Sequence, residues 1–548
     1  MGKRGFSAAG GQRTTSKLER NRFRSKSDDP AAAQRAHMER MVKAMPDIAA
    51  AQANYDAQNW DEAEAAIKRV IFDHGLSNPL SYDAWGSCAQ FQGRIDLAIQ
   101  CFRKALESDP EYRVAHDRII MLMDAQPSTT AEKAQRERTR WWERHGKRSY
   151  ERRKPHLNNR DPERPLRVGY VSGDFQYHSA ATVFYRIIFH HTKAFVPYLY
   201  SSTPTKYFYT DSITRGFAMH PNFVQMVEQR ENPITKIPED VPWPDWMVSE
   251  RIKRDEIDIL VDLSGYTANN RLSVFCMKPA PIQITGWGYA TGVGWPAMDY
   301  LVTDRVVVPE DRQHEHVEKP LYLPVVLDYE PTDGMPEANV LPCLTERPTF
   351  GVFQRSLKIN AECIAVWRQI LQRLPESRLI MKSHYCDTFK AWMVQEFQDQ
   401  ARQVEFQPVT SSFEHKVAYS QIDLNLDPWP QTGGVSACDA LWQGVPAVTL
   451  LGPRVIQRTT ASLLTTLGLT DFIAQTEDEY IEKAVAWVTE RKPELAEIRR
   501  TLRATCDASP IRQGYLEAVE TAYRQAWRDW CATPLTVAEA QYRLEQAS

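Results

Sequence analysis

Leu166-Arg167-Val168-Gly169-Tyr170-Val171-Ser172 reads as a buried β-strand running into a loop, preceded by a polar stretch (158–165) with two prolines that marks a boundary. Working outward, Ile257-Asp258-Ile259-Leu260-Val261-Asp262-Leu263 has the same character, and 282–286 and 300–303 are further short strands. Helical stretches lie between them, for instance around 246–254. A second alternation begins near Pro348. Strands are expected over 349–353, 378–382, 404–407, 422–426 and 447–451, and helices over 361–373, 414–420, 436–442 and 459–467, with helices filling most of the chain to about 532. Strands alternating with helices indicate parallel sheets with crossover connections. The expected class is α/β, with two Rossmann-like lobes in tandem and a cleft between them.

The segment upstream is helical. Ala98, Phe102, Ala105 and Pro110 have the spacing of the second half of a tetratricopeptide unit, with Gly86 and Tyr82 at its small and aromatic positions. About 35 residues earlier, Trp60, Ala63, Ile67 and Val70 give a weaker copy. Such units bury their faces only by stacking, so the pair is expected to pack on a neighbour around 114–123. A plain helical hairpin without a binding role is the alternative. Residues 130–160, rich in Lys, Arg and Glu around Trp141 and Trp142, read as an amphipathic connecting helix. The expected division is 1–44 disordered basic arm, 45–126 repeats, 127–164 linker helix, 165–340 first lobe, 341–535 second lobe and 536–548 tail.

The 548 residues carry 67 Lys and Arg against 70 Asp and Glu, so no global excess draws the chain to nucleic acid or anionic lipid. The cations Lys3 to Lys26 crowd the start among Ser, Gly and Thr, which reads as a solvated arm. With Phe6 and Phe23 as its only aromatics, nucleic-acid binding has thin support. No apolar run approaches the length of a membrane span, and no apolar core follows the first charges. Nine scattered cysteines form no CxxC pair, which suggests neither a zinc site nor a disulfide framework and fits a reducing cytoplasm.

Ligands of open parallel sheets bind beyond the carboxyl ends of the strands. That rule singles out Asp427-Pro428-Trp429-Pro430-Gln431-Thr432-Gly433-Gly434-Val435-Ser436, which leads into a helix carrying Asp439. Gly433 and Gly434 allow close backbone approach, and the free amides of the helix start favour a phosphate. Asp439 can accept a ribose hydroxyl. Turn geometry alone is the alternative for the glycine pair. Lys358, beside Arg355, follows the strand 349–353 and can neutralise a diphosphate, or sit solvated at the surface. His415 can stack on a base, or simply cap a helix. Asp174 and His178 follow the strand 166–172, a position for catalysis or acceptor contact as well as for a structural hydrogen bond.

Several motifs in order resemble the O-GlcNAc transferase and SPINDLY family of glycosyltransferases. They include Gly169-Tyr170-Val171-Ser172-Gly173-Asp174-Phe175…His178, Asp262-Leu263-Ser264-Gly265-Tyr266-Thr267, Lys278-Pro279-Ala280-Pro281-Ile282-Gln283 and Met298-Asp299-Tyr300…Thr303-Asp304. In the second half they continue through Lys358-Ile359-Asn360, Glu414-His415, Cys438-Asp439-Ala440-Leu441-Trp442, Gly444-Val445-Pro446 and Arg458…Ala461-Ser462. The resemblance covers roughly 130–530 and implies a GT-B fold whose second lobe holds the nucleotide. It implies Lys358 as the diphosphate-binding Lys, His415 as the base-contacting His, Asp439 as the ribose-binding Asp and His178 as the first-lobe His near the reaction centre. It further implies an inverting transfer without metal, from UDP-N-acetylglucosamine to Ser or Thr of a polypeptide engaged through the repeats and the cleft. The alternatives are a GDP-fucose donor, or an inactive repeat scaffold. Three positions depart from the family's pattern: in Gly433-Gly434-Val435-Ser436, Val435 supplies no hydroxyl where the family often reads Gly-His-Thr-Thr or Gly-Gly-Thr-Thr; Tyr266 stands where many bacterial relatives have His, although the animal enzymes have Tyr; and Arg355 replaces the neutral amide of the animal enzymes.

Overall fold

The computed structural model describes residues 30–207, 211–231, 238–331, 334–335 and 341–547. The repeat segment is an array of antiparallel helices over Pro30–Asp56, Trp60–Phe72, Pro79–Phe91, Ile95–Ser108 and Arg113–Ala125. Gly86 explains the close approach of the central pair: a Cβ there would lie 2.6 Å from the Phe102 ring. Phe102 is fully buried and shares its cluster with Ala98, Ala105, Ile119 and Leu122, so the helix Arg113–Ala125 is the expected stacking neighbour. In the weaker copy, Trp60 stacks on Phe91 with ring centroids 4.2 Å apart.

The first lobe is built on β1 (Leu166–Ser172), β2 (Phe195–Ser201) and β3 (Phe223–Gln225). A side hairpin of β4 (Val227–Glu231) and β5 (Pro238–Pro242) follows, then β6 (Ile259–Asp262), β7 (Ile282–Thr285), β8 (Tyr300–Thr303) and β9 (Lys319–Tyr322). Seven of these form a parallel sheet in the order β3-β2-β1-β6-β7-β8-β9. The second lobe contains β10 (Thr349–Val352), β11 (Arg378–Lys382), β12 (Val404–Gln407), β13 (Leu424–Leu426), β14 (Ala447–Leu450) and β15 (Ile473–Ala474). They lie in the parallel order β12-β11-β10-β13-β14-β15. Each sheet thus reverses direction beside its first strand, and at such a switch point the loops splay into a crevice. The two switch points belong to β1 and to β10 with β13. The fold is the expected GT-B arrangement of two Rossmann-like lobes behind a helical-repeat segment.

Several boundaries differ from the sequence reading. Residues 1–29 of the expected arm lie outside the described residues, but 30–44 are helical, so the array begins there. The linker is a helix over Ala131–Trp141 that widens into a π turn at Trp142–Gly146 before Lys147–Glu151. The tail is a helix over Val537–Ala547, tied back by Arg543 donating to the His156 carbonyl at 2.7 Å. The helix Tyr515–Ala532 crosses from the second lobe to the first: Trp287 Nε1 donates to Tyr515 Oη at 2.9 Å, and Trp527 Nε1 to the Asp161 carbonyl at 3.0 Å.

Five more contacts fix the lobes, the linker and the repeats together. Ser462 donates its hydroxyl to Asp304, and Arg458 Nε donates to the Val306 carbonyl at 2.7 Å, so these two motifs join the lobes. Asp124 of the repeats accepts from Arg138 of the linker at 2.6 Å and from Tyr289 of the first lobe at 2.6 Å, while Arg454 of the second lobe donates to the Asp124 carbonyl at 3.1 Å. Tyr266 is buried beneath this junction. Its hydroxyl donates to the Val293 carbonyl at 2.6 Å and accepts from Trp295 Nε1 at 3.1 Å.

Candidate functional site

The site is assembled at the two switch points. β10 ends at Val352 and leads through Phe353, Gln354 and Arg355 into a 3₁₀ turn, Ser356–Lys358, before the helix Ala361–Arg373 capped by Asn360. β13 leads through 427–434 into the helix Val435–Trp442. The loop between them is shaped from beneath. Asp427 is fully buried, accepting from the Gly433 amide at 2.7 Å and from Thr449 Oγ1 at 2.7 Å. Gly433 is obligatory for this close approach, because a Cβ would meet Ala437 Cβ at 2.9 Å and Asp427 Oδ1 at 3.0 Å. The Gly433 amide is therefore spent on the loop itself. The amides of Gly434, Val435 and Ser436 have no protein acceptor among the described residues, as the first turn of a helix requires.

Lys358 Nζ donates to the Thr432 carbonyl at 2.9 Å, which brings its ammonium to the edge of this helix start. Burial and the neighbouring Arg355 guanidinium, opposed by Asp427, push the Lys358 pKa down to about 8. Gln354 Nε2 donates to Ser436 Oγ at 2.8 Å, and Tyr419 Oη donates to the Ser436 carbonyl at 3.2 Å. Tyr419 in turn packs edge-on against His415, which also lies 5.7 Å from the Phe353 ring. Burial, with Lys382 and Lys416 nearby, lowers the His415 pKa to about 4, so the ring is neutral and suited to stacking. Asp439, one turn into the helix, accepts from Tyr329. Burial raises its pKa, against the pull of Tyr329 and Lys416.

The first lobe supplies the facing wall. Asp174 and His178 lie in the loop after β1, and the 3₁₀ turn Ser179–Val183 packs on the helix Val435–Trp442. His178 Nδ1 accepts from the Ala180 amide at 3.2 Å and stands 3.7 Å from Asp174 Oδ1. Burial raises the Asp174 pKa, while His178 and Arg355 act to lower it. Arg355 therefore feels Asp174 across the crevice, a first-lobe carboxylate opposite a second-lobe guanidinium.

The ten residues singled out from the sequence fall on the strand-end loops and helix starts at the crevice, linked by the contacts above. Gly433 stands in its floor, and Val435 contributes an amide but no hydroxyl. Tyr266 lies outside, in the junction described above. Sequence reasoning missed Tyr329, Gln354, Tyr419 and Lys416. Gln354 follows a strand directly and Lys416 adjoins His415, so position alone was a signal for those two. Tyr329 comes from the connection between the lobes and carried none. Among the described residues there is no group of three or more His, Cys, Asp or Glu able to hold a metal, and no helix long and apolar enough to cross a membrane.

Comparison with known proteins agrees with the fold. Residues 143–329 and 336–514 match the family model described as glycosyl transferase family 41. A tomato (Solanum lycopersicum) protein named "Probable UDP-N-acetylglucosamine--peptide N-acetylglucosaminyltransferase SPINDLY" is 31% identical over 437 residues, 78% of this chain and 45% of that protein. Its rice (Oryza sativa subsp. japonica) namesake is 30% identical over 452 residues, 79% and 46% of the respective chains. The chain thus spans less than half the length of these curated relatives. A solved structure of an O-GlcNAc transferase mutant from Thermobaculum terrenum superimposes with a TM-score of 0.79 at 26% identity, covering 88% of this chain and 90% of that one.

Proposed function

The chain belongs to glycosyl transferase family 41, and on that premise we propose that it transfers N-acetylglucosamine from its uridine diphosphate donor to a Ser or Thr hydroxyl of a polypeptide. The observation carrying this reading is the convergence of Lys358 with the free amides of Gly434, Val435 and Ser436, with Asp439 one turn along the same helix and His415 packed on Tyr419, which donates to the Ser436 carbonyl. A nucleoside diphosphate spans such a site. The base stacks on His415, a ribose hydroxyl reaches Asp439, and the two phosphates meet the ammonium and the helix start.

In the reaction the acceptor hydroxyl oxygen bonds to the anomeric carbon from the face opposite the diphosphate. The bond from that carbon to the β-phosphate oxygen breaks, and its electron pair leaves with the nucleotide. Configuration inverts. Lys358, Arg355 and the amides are fixed before charge develops, so they stabilise the leaving group without reorganising. This is the role a divalent ion takes in other transferases, and the protein's own charges carry it here without metal. His178 Nδ1 is engaged by the Ala180 amide, which leaves Nε2 to meet a sugar or acceptor oxygen. Asp174, beside His178 and with its pKa raised by burial, is the carboxylate assigned to receive the hydroxyl proton. The repeats beside the second lobe offer an extended peptide a path to the crevice. The nine cysteines are free thiols, consistent with a cytoplasmic setting.

The test is a thermal-shift series with uridine and guanosine diphosphates and their sugars, followed by transfer from UDP-N-acetylglucosamine to peptide, compared with Lys358→Ala. Stabilisation by the uridine series and transfer abolished in the variant are expected. Stabilisation by guanosine diphosphate and its fucose conjugate alone would convert the reading to fucosyl transfer. No turnover with any donor would favour a scaffold.

A further inference from the structure

A cavity of about 1130 Å³ opens on the first lobe at the amino ends of β1, β2 and β6, the side of the sheet opposite the crevice. It lies between the extended run 152–159, the helix Asp245–Arg254 and the C-terminal helix. Six cations line it, Arg152, Arg153, Lys154, Arg164, Arg167 and Lys253, against the carboxylates of Glu250 and Glu256. Three of the six are already committed: Arg164 to Asp258 at 2.8 Å, Arg167 to Glu256 at 2.7 Å and Lys253 to Glu250 at 2.8 Å. Arg153 stacks 3.8 Å from the Tyr150 ring and donates to the Tyr150 carbonyl, with no carboxylate partner among the described residues. Arg152 and Lys154 are exposed and likewise have none. Three consecutive cations without a carboxylate partner among the described residues, in a chain of net charge −3, make a local positive field.

The shape of the field selects the ligand. A phosphate site converges several donors on one point, whereas these cations are successive residues spread over about 7 Å at the start of an irregular run, and Arg153 is turned onto the Tyr150 ring. Apolar side chains stand beside them: Trp246 is 60% exposed and Leu157 47% exposed. Single-stranded nucleic acid needs a series of stacking faces, and one indole does not supply it. The N-terminal stretch, crowded with its own cations, has the wrong sign to fill the groove. We propose that this groove docks an extended acidic segment of a partner polypeptide, its carboxylates on Arg152, Arg153 and Lys154 and an apolar side chain against Trp246. The proposal is independent of the donor assignment, because the two sites lie at opposite ends of the first-lobe sheet.

The experiment is fluorescence anisotropy of the full chain with a labelled 12-residue peptide of Glu pairs separated by Leu. A Ser-for-Glu peptide and a single-stranded RNA of equal length serve as controls. Binding of the acidic peptide that weakens with salt is expected, with about a tenfold loss in the double variant R152E/K154E. Trp246→Ala is expected to lose severalfold, and UDP-induced thermal stabilisation to stay unchanged in both variants. Absence of binding, equal binding by the variants, RNA bound more tightly than the peptide, or displacement of the peptide by UDP would each overturn it.

Discussion

Tyr329, in the connection between the lobes, donates its hydroxyl proton to Asp439 Oδ1, one turn into the helix that opens on the crevice. Tyr329 is itself 2% exposed, so the carboxylate is held by a side chain with no freedom to swing. Its second oxygen is left for a ligand. Tyr329→Phe removes the donor while keeping the ring packed. A hydrogen bond to a charged group is worth about 1.5 kcal/mol, so nucleotide affinity is expected to fall roughly tenfold by calorimetry. In an Asp439→Asn background the same change is expected to cost much less, since its partner has already lost its charge. Equal losses in both backgrounds would separate Tyr329 from Asp439.

Lys358 gives a pH dependence of defined sign. Its folded pKa of about 8 lies below its ordinary value of 10.5, because burial and Arg355 disfavour the ammonium. Between those two values the unfolded chain binds the extra proton, so the stability of the ligand-free protein gains with rising pH across that window. Lys358→Met is expected to lack this increment in denaturant titrations at pH 7, 8, 9 and 10. Nucleoside diphosphate binding has the opposite sense, weakening in the wild type as pH rises and the ammonium is lost. In Lys358→Met it is weak throughout, without that inflection. Parallel pH profiles for the two proteins would remove Lys358 from the phosphate site.

Leu357 tests how far the repeats belong to the site. It packs on the cluster around Phe102, and its neighbour Ser356 donates to the Phe91 carbonyl at 2.9 Å. The turn that presents Lys358 is therefore clamped between the repeats and the second lobe. Leu357→Ala leaves a partial cavity at that contact and is expected to cost about 1–2 kcal/mol of stability. It is also expected to weaken nucleotide binding severalfold while far-UV circular dichroism stays unchanged. Unaltered affinity would mean that the turn holds its shape without the repeats.

The sheets were legible because parallel strands buried on both faces leave apolar runs bounded by turn residues, and β1, β8 and β11 have the bounds their sequences suggest. The crevice was legible for a related reason: the strand–loop–helix rule places Asp174, Lys358 and the 427–436 loop at switch points without any knowledge of contacts. Short edge strands such as Phe223–Gln225 and Ile473–Ala474 are too brief to leave a periodic signal. The arm boundary failed because Pro30–Asp56 has a weak apolar stripe, much of it exposed in the described part. Tyr329, Tyr266 and the crossing helix Tyr515–Ala532 take their meaning from partners over a hundred residues away, which no local pattern encodes.

Val435 offers the last test, because it occupies the first position of the helix at the crevice and brings only its amide there. Thr is close to isosteric with Val, and a first-turn hydroxyl can donate to a phosphate oxygen beside the free amides of Gly434 and Ser436. Val435 is only half-buried, so a hydroxyl there keeps access to water and the stability change in Val435→Thr is expected to stay under about 1 kcal/mol. The added donor must first give up water, and a net gain of about 0.7 kcal/mol, roughly threefold in affinity, is expected for uridine diphosphate. Uridine lacks the phosphates and is expected to show no gain. Calorimetry with both ligands separates the outcomes: an equal gain for uridine would put position 435 against the nucleoside, and a loss for the diphosphate alone would mean that the phosphates pack on the methyl groups of Val435 rather than on its amide.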